Sequence, residues 1–136
     1  MSGKRNGKVI RKILALFLVG MALAAVCPLA FAHHGVAYYD VNHQVSLKGV
    51  VTSFKFANPH TEVFFDVKNE KGVVEHWIGE ATTPNMLSRR GWDRSVIKAG
   101  DQITVTGNPS KDGSKAMRVQ KIVFADGRVL DPSADF

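Results

Sequence analysis

From Val45 onward, apolar and polar residues alternate with a period of two in short runs separated by glycine-, asparagine- and aspartate-containing turns. This alternation commits each run to a half-buried β-strand, because successive strand side chains point to opposite faces. Val45-Ser46-Leu47-Lys48-Gly49 alternates, and Val50, Thr52, Phe54 and Phe56 then alternate in the opposite phase. A phase change at a glycine predicts a bulge or sharp bend in one long strand. Residues 62–68 place Val63, Phe65 and Val67 on one face, Asn69-Glu70-Lys71-Gly72 is a turn, and residues 73–80 pair back as a hairpin. On that last strand His76 shares a face with Val74 and Ile78, which predicts a half-buried packing residue.

One segment breaks the alternation. Residues 82–91 read as a short helix, with a threonine cap, Pro84 in the first turn, Arg89 and Arg90 in the last turn and Gly91 at its end. Two further strands, residues 102–107 and 115–125, follow, with Ile103 and Val105 inward. Asp126-Gly127 then signals a tight hairpin into Arg128-Val129-Leu130. Three strands, a helix and two strands, the first strand bent to serve two sheets, predict an all-β chain with one short helix, folded as a small five-stranded OB-like barrel. A small β-sandwich is the competing architecture.

The N-terminus is of another character. Residues 1–12 carry Lys4, Arg5, Lys8, Arg11 and Lys12 without an acidic residue, and residues 13–32 are an apolar run ending in Ala30-Phe31-Ala32. A basic start, an apolar stretch and a small-x-small end describe a cleavable secretory signal peptide. The run also reaches the ~20 residues that span a bilayer, so an uncleaved anchor is the alternative, and the only expected contact with membrane. Residues 1–32 are thus expected to be a signal peptide, 33–44 an extended arm and 45–136 one domain, exported to the periplasm. The whole chain has 18 basic and 12 acidic residues and a net charge of +6. Cleavage after Ala32 leaves 104 residues with 13 basic against 12 acidic and no cysteine. A charge of +1 supplies little phosphate affinity, so no nucleic-acid partner is expected. The loss of Cys27 leaves no thiol chemistry.

No P-loop, dinucleotide fingerprint, nucleophile elbow or H-E-x-x-H is present, and no catalytic residue is assigned. The chemical signal is histidine: His33, His34, His43, His60 and His76 all follow the apolar run. Cleavage would make His33 N-terminal, so that its α-amine and ring nitrogen could chelate one metal. The reference pKa of the amine, about 7.7–8.0, makes its deprotonated form accessible near neutral pH. A third nitrogen from His34, His43 or His60 would complete a nitrogen-rich site suited to Cu(II). The plainer reading is a polar tail. The expected metal residues are His33, His34 and His60.

Two other groups of residues are candidates for contact with a small ligand or a periplasmic protein. Asn58-Pro59-His60 follows the first strand, where barrels of this type place binding contacts. Arg89, Arg90 and Trp92 combine cations with an aromatic ring; their plainer role is to complement the helix C-terminus.

Ala32-His33-His34-Gly35, Leu47-x-Gly49-x-Val51, Asn58-Pro59-His60 and Thr83-Pro84-Asn85 form a recurring signature. It continues with Leu87-x-Arg89-Arg90-Gly91-Trp92, Lys98-x-Gly100-Asp101, Lys111-Asp112-Gly113 and Ala125-Asp126-Gly127-Arg128. Over nearly the whole chain after Ala32, this resembles a bacterial exported family, domain of unknown function 6152. The resemblance implies a single exported β-rich domain behind a signal peptide and carries no established activity. In fold alone the chain is also similar to periplasmic OB-fold proteins linked to stress tolerance. The expected function is an exported, non-enzymatic binding barrel that takes Cu(II) through its N-terminal histidines. A metal-free protein-interaction or stress-response module is the alternative.

Overall fold

The longest strand organises the molecule. β1 (Val45–Lys55) pairs antiparallel through Val45–Val50 with β4 (Gln102–Pro109), and through Val50–Lys55 with β2 (Glu62–Lys68). β2 continues antiparallel to β3 (Val74–Glu80), and β4 to β5 (Ala116–Phe124). Ile78, Gly79 and Glu80 of β3 run parallel to Ala116, Met117 and Arg118 of β5, which closes the ring β1-β2-β3-β5-β4. A two-residue β6 (Val129–Leu130) is added to β5, and one short helix, α1 (Pro84–Ser88), lies between β3 and β4. This is the closed OB-type barrel that the order of elements predicts, not a sandwich. The computed structural model describes residues 36–132, which belong to the second of two units, Met1–His33 and His34–Phe136.

The bend in β1 lies later than the sequence implies. Val51 pairs with Phe65 and Ser53 with Phe64, so Thr52 is the extra residue of a bulge. Leu47, Gly49 and Val51 face inward before it; Phe54 and Phe56 pack against the core after it. Val50, expected inward, is 44% exposed. Gly49 has a different task from changing phase. A Cβ there would stand 2.6 Å from the Asp66 carbonyl oxygen and 2.9 Å from Phe65 Cδ2, so the missing side chain lets β2 close over β1.

The expected face of β3 is also corrected. Val63, Phe65 and Val67 sit across from Gly79, Trp77 and Glu75, and directly opposed residues share a face. Val74, His76 and Ile78 are therefore on the outside. His76 is a surface residue, its side chain 83% exposed and its Nδ1 2.6 Å from Asp66 Oδ1.

Val51, Phe65, Ile103, Val105, Met117 and Ile122 fill the barrel. Leu87 of α1, with Trp92 and Ile97 just after it, joins the same cluster. α1 starts as expected: Thr83 Oγ1 accepts from the Met86 N–H and Pro84 takes the first turn. The helix is shorter than the sequence suggests, so Arg89 is its C-terminal cap and Arg90 lies beyond it.

Candidate functional site

Leaving β1, the chain runs through Phe56 and Ala57 to exposed Asn58 and Pro59, joined by a cis peptide, and re-enters the sheet at Thr61. The re-entry is clamped by main chain. Thr61 N–H donates to the Thr82 carbonyl at 3.1 Å, and Ala81 N–H donates to the Thr61 carbonyl at 2.8 Å. This places His60 beside the end of β3, where its Nδ1 lies 2.8 Å from Glu80 Oε1. The other carboxylate oxygen, Oε2, accepts from the Tyr39 hydroxyl at 3.1 Å. One carboxylate thus joins the β1–β2 loop to the segment before β1. Glu62 lies directly across from Glu80 and is matched by its own cation, Lys55 Nζ at 2.8 Å.

Tyr39 corrects the expectation of a plain extended arm. Residues 36–38 form a 3-10 turn and Tyr39 is 4% exposed. Burial, then the nearby Glu80 charge, pushes the Tyr39 phenol well above its ordinary pKa, so it stays a donor. The segment is tied down along its length. Asp40 N–H donates to the Pro109 carbonyl, and Lys111 Nζ donates to the Ala37 carbonyl. Buried Asn108 donates through Nδ2 to the Asp40 carbonyl at 3.1 Å and the His43 carbonyl at 2.7 Å. Tyr38 Oη meets Asp112 Oδ2 at 2.9 Å and Ser114 Oγ at 2.7 Å.

The two expected ligand-contact groups diverge. Trp92 is 4% exposed and belongs to the core, which removes its ring from the surface. Arg90 is half-buried and donates to the Pro132 carbonyl; Arg89 is exposed. What does meet the Asn58 loop is the stretch on either side of these residues. Phe56, Asn58, Asn85, Ser88, Asp93 and Arg94 border an open cleft of about 630 Å³.

Among the expected metal residues, His60 lies within the described part; His33 and His34 lie outside it, as does the proposed signal segment. His43 is exposed. Among the described residues no three His, Cys, Asp or Glu side chains are grouped to hold a metal by themselves. Sequence reasoning missed Tyr39, Glu80 and Asn108. An aromatic pair, Tyr38-Tyr39, in the arm before β1 was a signal of docking; nothing local marked the other two.

No match was found among the curated proteins. Among solved structures, the chain is similar to the mitochondrial single-stranded DNA-binding protein Rim1 of S. cerevisiae. The identity is 13% over 61% of this chain and 94% of that one, with a TM-score of 0.45. It is also similar to a tRNA fluorescent labeling enzyme, at 22% identity over 60% of this chain but 18% of that one, with a TM-score of 0.41. A family model matches residues 21–118, and the chain belongs to that family, a family of unknown function (DUF6152).

Proposed function

We propose that this protein is an exported, non-enzymatic binding barrel of the periplasm that takes Cu(II) through His33, His34 and His60. The observation that carries the reading is the hold of Glu80 on His60. An ionised carboxylate only accepts, so the proton between them belongs to Nδ1. In the neutral ring Nε2 then carries the free lone pair, and the ring is partly exposed, with 41% of the side chain open to solvent. A histidine oriented through one nitrogen by a carboxylate is the arrangement that presents the other to a metal. The same carboxylate receives Tyr39, which follows His33 by six positions, a reach of at most about 22 Å. The amine and ring of His33, the ring of His34 and Nε2 of His60 would make an all-nitrogen donor set, which suits Cu(II).

Intact mass of the protein recovered from the envelope, with metal analysis, tests cleavage and cofactor together. The expected result is a chain beginning at His33 that binds one copper. One residue inserted ahead of His33, or His60→Ala, should then weaken copper binding at least about tenfold. Unchanged binding in both variants, or no copper bound by a correctly cleaved protein, overturns the reading.

A further inference from the structure

The cleft beside the Asn58 loop is bordered by side chains that the fold leaves unused. Most turn residues here bond their own backbone: Asn69 accepts from Lys71 and Val73, Asp112 from Ser114, and Asp126 from Arg128. The side chains of Asn58, Asn85, Ser88 and Arg94 make no hydrogen bond or ion pair within the described residues, and all four are exposed. Asp93 is different. Its Oδ1 accepts from Ser95 N–H at 2.6 Å and Ser95 Oγ at 2.7 Å, and these bonds hold the carboxyl below its ordinary pKa. Phe56, tilted against Phe54 at 5.9 Å between ring centroids, supplies an apolar wall.

This lining selects by chemistry. The charges of Asp93 and Arg94 cancel, so an anion meets the carboxylate and a cation meets the guanidinium. A wholly apolar ligand would desolvate the carboxamides without replacing their bonds with water. Carboxamides and hydroxyls both donate and accept, as ligand hydroxyls do. The walls come from loops and α1, so no free strand edge offers an extended peptide a ladder of main-chain bonds. A volume of about 630 Å³ falls within the range of small-molecule sites. We propose that this cleft binds a neutral saccharide, its hydroxyls shared among Asn58, Asn85, Ser88, Asp93 and Arg94 with a sugar face on Phe56.

The proposal does not depend on copper, and its test is run in the presence of a chelator. The purified protein is titrated with chitobiose, maltose and cellobiose, and separately with citrate, phosphate and trialanine, while backbone amide spectra are recorded. At least one disaccharide should give saturable shifts at residues 56–58, 85–88 and 93–95. Asn85→Ala and Arg94→Ala should each weaken that binding about tenfold with core amide positions unchanged. The proposal falls if none of the three sugars saturates. It falls equally if the shifts map elsewhere, if both variants bind normally, or if citrate, phosphate or trialanine binds more tightly than the sugars.

Discussion

Glu80 and Gly49 act in opposite ways on the same barrel: one by what its side chain joins, the other by having none. Two oxygens of Glu80 hold His60 and Tyr39, which come from opposite ends of β1. Glu80→Gln keeps the size of the side chain but weakens the hold on His60, and copper affinity should fall about 10–100-fold. A copper titration against the parent protein checks it. At Gly49 a methyl group would strike the Asp66 main chain, which cannot rotate away. Gly49→Ala should cost about 1–3 kcal/mol in denaturant unfolding. Asp112 provides a pH dependence. Ser114, through its backbone N–H and then its hydroxyl, and the Tyr38 hydroxyl hold this carboxyl down from 3.8 to about 2. A folded pKa below the unfolded value stabilises fully above about pH 4, and the contribution disappears as pH falls toward 2. Amide protection at residues 37–40, taken relative to the intrinsic exchange rate at each pH, should therefore fall across that window, and in Asp112→Asn it should be low at every pH.

The informative element is β1, whose two halves face the core in opposite phases because Thr52 is looped out. Removing Thr52 leaves Val51, Phe54 and Phe56 in one unbroken alternation that still faces the core. One residue inserted between Ser53 and Phe54 instead turns both rings to solvent, since a one-residue slip inverts every side chain beyond it. The insertion should abolish cooperative unfolding and raise dye binding to exposed apolar surface, while the deletion should leave both near the parent. At α1, Thr83→Ala removes the cap on the Met86 N–H and should cost about 1 kcal/mol, read from the denaturation midpoint. The helix matters because it carries Leu87 into the core and Asn85 and Ser88 to the cleft. Its start was legible in Thr83-Pro84, where cap and proline act on neighbours. Its end was not, because Trp92 N–H returns to the Leu87 carbonyl as the ring enters the core.

Across the whole molecule, closure of the barrel and docking of the segment before β1 rest on different contacts. β3 and β5 close the ring through three residue pairs, with Ile78 N–H donating to the Lys115 carbonyl at 2.9 Å. The segment before β1 is held by Asn108, whose Oδ1 in turn accepts from Gln120. Asn108→Ala removes the bonds to the Asp40 and His43 carbonyls from a buried position and should cost about 1–3 kcal/mol. Limited proteolysis should then cut at residues 36–43 while amide protection in the barrel strands persists. If the barrel loses protection as well, docking and closure are one cooperative unit.

The strand runs, the capped helix start, the hairpin turns and the barrel order were determined by the sequence alone. Each rests on side-chain period or turn chemistry among residues a few positions apart. The tertiary structure alone decided which face of β3 is inward, where β1 bends and that Trp92 is core. It also decided that Tyr39, His60 and Glu80 meet. These depend on cross-strand register and on packing between residues tens of positions apart. At such distances an apolar Ile78 and a polar Glu75 say nothing about which of them faces the partner strand's Phe65.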